Sequence, residues 1–355
     1  MKTLDQIALP ISEAEYRADP ALSYSTLSRF SKEGFHKIDT LFDKITTPSL
    51  VFGSVVDELI TGSQESFNER FLVSNVNLDE DAANIIKIIY DSFKDQYKHF
   101  LQIPIVQVSQ MAKQNGFWPA DKWADNARYN GLLKKGDVSG YYDFLRESDG
   151  KTVITNEQYQ DALKCVQALK TSEATRFYFA DNELNNPIQR YYQLKFKCRI
   201  TDADGDVDYR SMLDECLVDY ANKVIYPIDL KTSSSPEDEF YKSFIQFNYA
   251  IQARLYYRNL EYNVRKDDFF KDFELEDYTF IVVNKNSLVP LTWRFKDTKA
   301  IGTLYYGKNK QIVMKDPFDI GKELNYYLTH QESVVQKGIN LNKTNDIIQY
   351  LNELE

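Results

Sequence analysis

The chain has 355 residues, of which 43% are hydrophobic and 27% charged, and its formal net charge is -10 at pH 7. This size predicts one large elaborated domain or two smaller ones, and the acidic balance argues against a protein that coats DNA with a basic surface. Three cysteines without a CxxC pair and three scattered histidines argue against a disulfide framework, an iron-sulfur cluster or a His-rich zinc site. With no long apolar run and no signal-peptide pattern, we expect a cytoplasmic protein without a membrane partner.

Apolar residues at helical spacing dominate roughly the first 180 residues. They predict a short helix and a turn within 23–45, and helices over 49–61, 78–101, 104–114, 120–134 and 155–170. The N-terminal part, residues 1–180, is therefore expected to be mainly helical.

From about residue 187 the apolar pattern changes to period two, which predicts strands. Asp204-Gly205 predicts a hairpin between the first two strands, and the stretch 219–223 connects the second to the third. Ser235 and Pro236 predict the start of a helix that runs to about Asn259. Further strands (278–286, 290–295) and a C-terminal helix (318–335) complete a predicted α/β fold.

The third strand carries Asp229 and Lys231 on one face, because alternate strand residues share a face. An ideal register through the 219–223 turn pairs residue 214 with residue 228, so one bulge would set Asp214 beside Asp229. Two carboxylates and the Leu230 carbonyl would form an oxygen-only site for Mg²⁺ or Mn²⁺. Lys231 would orient or deprotonate a water there, as phosphodiester hydrolysis requires. The alternative is a surface ion pair worth about 0–1 kcal/mol.

On the following helix, Gln252 and Tyr256 stand at i and i+4 and face one way. Together with the acids and the lysine, this pattern resembles the PD-(D/E)XK nuclease superfamily, most closely its RecE-like and lambda-exonuclease-like phage exonucleases, which are related to RecB-type nuclease domains. The patches that carry the resemblance are SYSTLSRF, FGSVVDELI, TNEQYQDALKCVQAL, LDECLVD, IDLKT and QARLYY.

The resemblance implies a restriction-endonuclease-like core, with a central mixed sheet flanked by helices and a helical N-terminal insertion. It assigns residues 1–180 to a helical part that completes the cleft, 181–300 to the nuclease core and 301–355 to a C-terminal helical extension. The implied catalytic residues are Asp214, Asp229, Lys231, Gln252 and Tyr256.

The same resemblance implies metal ligands for Mg²⁺ or Mn²⁺ at Asp214, Asp229 and Leu230. Asp57 occupies the position where many relatives have a histidine, and we expect it to join the metal as a carboxylate. Gln189 lies where an acid is expected, and Glu58 is one residue away from a ligand position. Whether one metal or two are bound is therefore left open.

The function that the resemblance implies is a metal-dependent DNA exonuclease that works 5′ to 3′ on duplex ends in phage-type recombination or replication. It also implies a ring-like homo-oligomer and a partner annealing or single-strand-binding protein, in a bacterial or phage-infected cytoplasm. Three properties stay open: the polarity of cleavage, the preference for single-stranded or double-stranded DNA, and whether the enzyme is an exonuclease or a structure-specific endonuclease. The other alternative is a non-catalytic DNA-binding scaffold of the same fold.

Basic residues predict a path for DNA. Lys195, Lys197 and Arg199 alternate along one strand face with Arg190 nearby, and they would form a strip along the DNA backbone. The alternative for this strip is a solvated outer face. On the N-terminal helix, two more cations would hold a terminal phosphate: Arg29 and Lys32.

Overall fold

The computed structural model describes residues 2–43, 45–148, 150–183, 185–202, 205–296, 302–306 and 310–330. Its helices in chain order are α1 (Glu13–Ala18), α2 (Tyr24–Glu33), α3 (Pro48–Thr61), α4 (Gln64–Arg70), α5 (Glu80–Phe93), α6 (Ile105–Gln114), α7 (Asp125–Leu133), α8 (Val138–Glu147), α9 (Asn156–Thr171), α10 (Phe240–Gln246), α11 (Tyr249–Lys266) and α12 (Pro317–Thr329). Short 3₁₀ turns occupy Leu4–Ile7, Phe35–Thr40, Phe100–Gln102 and Glu237–Glu239.

The strands are β1 (Phe71–Ser74), β2 (Thr152–Thr155), β3 (Ile188–Asp202), β4 (Gly205–Asp219), β5 (Val224–Ser233), β6 (Glu274–Leu275), β7 (Tyr278–Asn284), β8 (Leu291–Phe295), β9 (Gly302–Tyr306) and β10 (Lys310–Met314). The central sheet has the order β3-β4-β5-β7-β8, with β6 beside β5. Within it β5 and β7 run parallel, while β3–β4, β4–β5 and β7–β8 are antiparallel. The expected α/β class with a mixed sheet is confirmed.

Helices cover both faces of the central sheet. On one face Phe196 of β3 belongs to the same buried cluster as Leu255 of α11, which also includes residues of α2 and α12. On the other face Ile228 of β5 packs with Val56 of α3 and Cys165 of α9. Because both faces are covered, β7 is buried along its whole length, and its residues 280–283 are all apolar.

Residues 78–153 contain a second, separate core, and we call this part the helical lobe. Its buried side chains come from α5 to α8 and their connections, and they include Ile86, Phe100, Val108 and Leu132. None of the buried residues in this cluster belongs to either cluster of the sheet among the residues described. The lobe therefore has an apolar core of its own.

Long segments with clear periodicity were predicted well. The helices expected at 49–61, 104–114 and 155–170 are α3, α6 and α9, and α9 begins with a capping box at Thr155 and Gln158. The antiparallel pairing of the first two strands is confirmed, although residues 203 and 204 of the expected turn lie outside the described residues. The last helix is α12, and the rest of the predicted span, 331–335, also lies outside them.

The prediction of one continuous helix from Ser235 to Asn259 is wrong. A 3₁₀ turn precedes α10, and α11 starts only at Tyr249 and continues to Lys266. Between α10 and α11, Asn248 adopts a left-handed conformation with φ 55° and ψ 42°. Asparagine tolerates this conformation better than most residues, so the chain can turn there without a glycine or proline to mark the break.

Two glycines allow a test of the lobe's turns. Gly136 has φ +138°, and a Cβ there would lie 2.2 Å from the Asn77 carbonyl oxygen, whereas Gly116 has φ +87° and no atom within 4 Å of such a Cβ. We expect Gly136→Ala to lower the free energy of unfolding by more than about 2 kcal/mol, and Gly116→Ala by about 1–2 kcal/mol. Denaturant unfolding measures both, and equal losses would contradict the clash.

Candidate metal centre

The candidate site lies where β4 and β5 stop pairing. The last backbone pair joins Glu215 to Ile228, and the same register places Asp214 opposite Asp229. There the Leu230 N–H donates to carboxylate Oδ2 of Asp214 at 2.9 Å, so a side-chain oxygen replaces a strand carbonyl. The predicted register of 214 with 228 is therefore wrong by one residue. The register of β4 and β5 alone sets the two acids opposite each other.

The β3–β4 ladder is also interrupted at this point. Gln193 has φ +52° and does not pair with Asp214, although the ladder is intact on both sides of them. Leu213 and Cys216 lie three residues apart yet belong to the same core, so the alternation of side chains shifts by one across the break. Because of this shift Asp214 does not follow the regular alternation of β4. Its carboxylate instead accepts the hydrogen bond from the Leu230 amide.

Asp229 is fully buried and has polar neighbours from three elements. Its Oδ1 accepts hydrogen bonds from Gln252 Nε2 at 2.5 Å and from the Tyr278 hydroxyl at 3.3 Å, and its Oδ2 forms an ion pair with the Lys231 ammonium. The structure thus brings Asp229, Lys231 and Gln252 together. The catalytic roles assigned to them stay predictions.

The Lys231 ammonium lies beside two neighbouring aromatic rings. Its Nζ is 4.9 Å from the ring centroid of Tyr249 and 6.0 Å from that of Phe280, which favours the charged form. Burial acts to lower the pKa of Lys231, but Asp229 and its other neighbours, Asp214 among them, together outweigh burial, and the pKa lies above its ordinary value. Lys231 is therefore a cation at neutral pH. In this arrangement it is suited to orient a water or to face a phosphate, and poorly suited to accept a proton.

Asp57 reaches the site from α3, which approaches the end of β5 closely. A Cβ on Gly53 would lie only 3.1 Å from Thr232 Oγ1. The Asp57 Oδ2 accepts a hydrogen bond from Gln193 Nε2 at 2.8 Å, while its buried Oδ1 has no hydrogen-bond partner in the described part of the chain. Burial raises the pKa of Asp57 to about 7, against the opposing effect of Arg70.

Three carboxylates share this region and repel one another. The pKa of Asp214 is raised well above its ordinary value, first by burial and then by the negative charges of Asp229 and Asp57. Burial also raises the pKa of Asp229, although Lys231 opposes it. The raised pKa values mean that these carboxyl groups hold their protons more tightly in the metal-free fold, and a bound cation would take the place of those protons.

The donor chemistry fits a hard divalent cation. Carboxylate oxygens prefer Mg²⁺ or Mn²⁺, and the N–H and C=O of one strand residue point to the same edge, so the Leu230 carbonyl also faces the opening beside Asp214. Buried Oδ1 of Asp57 and Oε1 of Gln252 have no hydrogen-bond partner among the described residues. Within those same ranges no three His, Cys, Asp or Glu side chains form a ready metal-binding group. Asp57 would therefore offer Oδ1 to a cation, because its Oδ2 is held by Gln193.

Tyr256 lies close to the carboxylates without a hydrogen bond to them. It is buried on the same face of α11 as Gln252, and its ring packs edge-on against Tyr278 with centroids 6.5 Å apart. Burial raises the pKa of its hydroxyl well above the ordinary value, and the nearby Asp229 and Asp214 raise it further. Tyr256 is therefore neutral, and its ring packs against Tyr278, the residue that donates to Asp229.

The basic strip of β3 is largely neutralised by acids. Lys197 forms ion pairs with Asp19 at 3.1 Å and with Asp208 at 3.6 Å, and Arg199 forms a two-pronged pair with Asp208 at 2.7 and 2.9 Å. Lys195 has no acidic partner in the part of the chain that the structure describes. The expectation of a continuous positive track is corrected, because Asp208 of β4 lies directly opposite Arg199.

Two other predicted DNA contacts have structural partners instead. Arg190 is 5% exposed and donates to the carbonyls of Phe177 and Tyr178, so it holds the segment before β3 rather than facing solvent. Arg29 donates to three carbonyls in the segment after α2, at 2.7 to 3.0 Å. The burial of Arg190 corrects the expectation that it faces DNA, whereas Arg29 is only partly buried and its contact with a phosphate stays a prediction.

The other acid-position candidates are also explained by packing. Glu58 binds Arg70 and the Ser66 hydroxyl and so fastens α3 to α4. Gln189 donates to carbonyls of the preceding loop at 2.6 and 3.0 Å and lies away from Asp229 in the strand order. Neither side chain contacts the acids of the site.

Sequence reasoning missed three residues that shape the site: Gln193, Tyr249 and Tyr278. Tyr278 is the first residue of a predicted buried strand. A buried tyrosine hydroxyl needs a hydrogen-bond partner, and this requirement could have pointed to Tyr278. Tyr249 lies three residues before Gln252, on the same helical face. Nothing local marks the left-handed conformation of Gln193.

No protein-family model matches the chain, and no curated protein matches it. In the part of the chain that the structure describes, no helix has the length and apolar character needed to cross a membrane. The case for the site therefore depends on the geometry of this chain.

Asp57→Asn should stabilise the metal-free protein at neutral pH. Burial raises the pKa of Asp57 from 3.8 to about 7, so the folded state keeps a proton that the unfolded state releases. Stability is therefore present below about pH 4 and is lost as the pH rises to about 7, by up to roughly 4 kcal/mol.

Thermal unfolding in EDTA across this pH range measures the effect. The Asp57→Asn variant should melt above the wild type at pH 8, and the difference should shrink toward pH 4. Asp268→Asn, at a fully exposed position, is the control and should leave the profile unchanged. Identical pH profiles for Asp57→Asn and the wild type would refute the proposed burial of charge.

Proposed function

We propose that the protein is a Mg²⁺- or Mn²⁺-dependent DNA nuclease whose site is built on Asp214, Asp229 and Lys231. The observation that carries the proposal is their convergence where the pairing of β4 and β5 ends. The alternative, a surface ion pair, fits poorly because Asp229 is fully buried and the Lys231 side chain is only 18% exposed. Burying excess negative charge costs stability, which a metal-binding function would explain.

The fold supports a restriction-endonuclease-like core as part of this proposal. The acids lie on β4 and β5, near the middle of a mixed sheet that helices cover on both faces. The connection from β5 to the parallel β7 contains α11, which supplies Gln252 next to the acids. This is the arrangement that the resemblance to the PD-(D/E)XK superfamily implies.

The residues would divide the work as follows. Asp214, Asp229 and the Leu230 carbonyl would hold the cation, which when bound activates a water and polarises the scissile phosphate. Gln252 of α11 and Tyr278 of β7 hold the Asp229 carboxylate in place by hydrogen bonds. The Lys231 ammonium would face the phosphate and counter the negative charge that develops on it.

The exonuclease form of the proposal comes from the resemblance, as do 5′ to 3′ polarity on duplex ends, a ring-like homo-oligomer and an annealing or single-strand-binding partner. The net charge of -10 and the pairing of Lys197 and Arg199 with acids favour an enzyme that admits DNA locally over one that coats it. A cytoplasmic location in a bacterium or an infected host belongs to the same proposal.

Cleavage assays with purified variants test the site. We expect Lys231→Ala and Asp229→Asn each to lower the Mg²⁺-dependent cleavage rate of linear duplex DNA at least about 100-fold, because each removes a group that the reaction needs. Lys164→Ala is the matched control, since Lys164 also pairs with an aspartate, Asp161, at 2.8 Å but lies on the surface of α9. Its rate should equal that of the wild type.

Each outcome separates the alternatives. Full activity of either site variant would refute the mechanism, and a wild type that binds DNA without cleaving it would favour the scaffold. Opening of closed-circular DNA would show an endonuclease, because an exonuclease needs an end. Binding of Mn²⁺ by the wild type and not by Asp229→Asn, measured by calorimetry, would support the metal ligands independently of cleavage.

A further inference from the structure

An aromatic surface lies directly beside the Lys231 ammonium. It consists of Tyr24, Phe247 and Tyr249, and we call it the aromatic ledge. The Tyr249 ring lies 4.9 Å from Lys231 Nζ, and its centroid is 5.6 Å from that of Phe247 and 6.2 Å from that of Tyr24. The ledge thus leads outward from the candidate site.

The outer ring of the ledge is exposed while its backbone is fixed. Phe247 is 43% exposed. Its carbonyl accepts hydrogen bonds from the Tyr24 hydroxyl at 2.6 Å and from the Ser28 hydroxyl at 3.1 Å. The left-handed Asn248 follows it and turns the chain into α11. A large apolar side chain whose backbone is held in place and which stays 43% exposed is preorganised for binding a flat partner.

The charges around the ledge suit a nucleic-acid strand. The Lys32 ammonium lies 5.7 Å from the Phe247 ring centroid and donates to the Gln246 carbonyl at 2.6 Å. Lys231 lies at the inner end, so each end of the ledge carries an ammonium group in a chain with net charge -10. Aromatic rings flanked by cations match the bases and phosphates of a single strand.

We propose that the ledge is a stacking subsite for an unpaired nucleobase of the strand whose phosphate lies at Lys231. Phe247 offers the face on which the base stacks, and Lys32 contacts an adjoining phosphate. A base can use this surface only when it is free of its complement, so the subsite favours a single-stranded segment or a frayed end. The inference rests on the proposed nuclease function, of which it specifies the substrate.

Equilibrium binding in EDTA tests the subsite without cleavage. The probes are a fluorescein-labelled thymidine oligonucleotide of about 12 nucleotides and an abasic strand of equal length. We expect Phe247→Ala to weaken binding of the first about 10-fold and to leave binding of the abasic strand unchanged. Phe247→Tyr should bind as the wild type does, and Lys32→Ala should weaken binding of both strands.

Phe269→Ala is the matched control, because Phe269 is 42% exposed and follows the far end of α11. Its affinity should not change. In the Phe247→Trp variant, indole fluorescence should be quenched by the thymidine strand and not by the abasic one.

The results separate this inference from the nuclease proposal. Unchanged affinity of Phe247→Ala for the thymidine strand would overturn the subsite even if the wild type cleaves DNA. A loss of affinity in Phe247→Ala would support the subsite even if the wild type cleaves nothing, and only the nuclease proposal would then fail.

Discussion

The structure depends on the burial of three carboxyl groups beside a single ammonium group. Asp214 and Asp229 face each other where β4 and β5 separate, and Asp57 approaches them from α3. Lys231 pairs with one of the three. Charge buried in this way destabilises the metal-free fold, so the surrounding hydrogen bonds from Leu230, Gln193, Gln252 and Tyr278 are needed to hold the acids in position.

Local patterns in the sequence were sufficient to find the inner part of this site. The two-residue spacing of Asp229 and Lys231 fixes their common face, and the four-residue spacing of Gln252 and Tyr256 places these two on one face of a helix. The register was misjudged because Asp219 already pairs with Val224, which shortens the connection. Nothing in the local sequence marks the residue at which the turn begins, so the predicted connection is 219–223 whereas the observed one is 220–223.

Features that depend on distant partners could not be predicted. Lys197 and Arg199 read as a free basic strip, but Asp208 and Asp19 come from other parts of the chain and neutralise them. The short elements α1, α4, β1 and β2 contain too few residues for a periodic signal. The left-handed conformation of Gln193 arises from the sheet around it, since glutamine has no special preference for positive φ.

The helical lobe also bears on how the molecule assembles. Its buried residues come from one continuous stretch of chain, so its contacts are short in sequence and close quickly. The core of the central sheet instead has to bring α2 against α12 and α3 against β5, pairs that lie far apart in the chain, so it requires much larger loop closures. The lobe should consequently form early as a cooperative unit, and the sheet that carries the acids should be completed last.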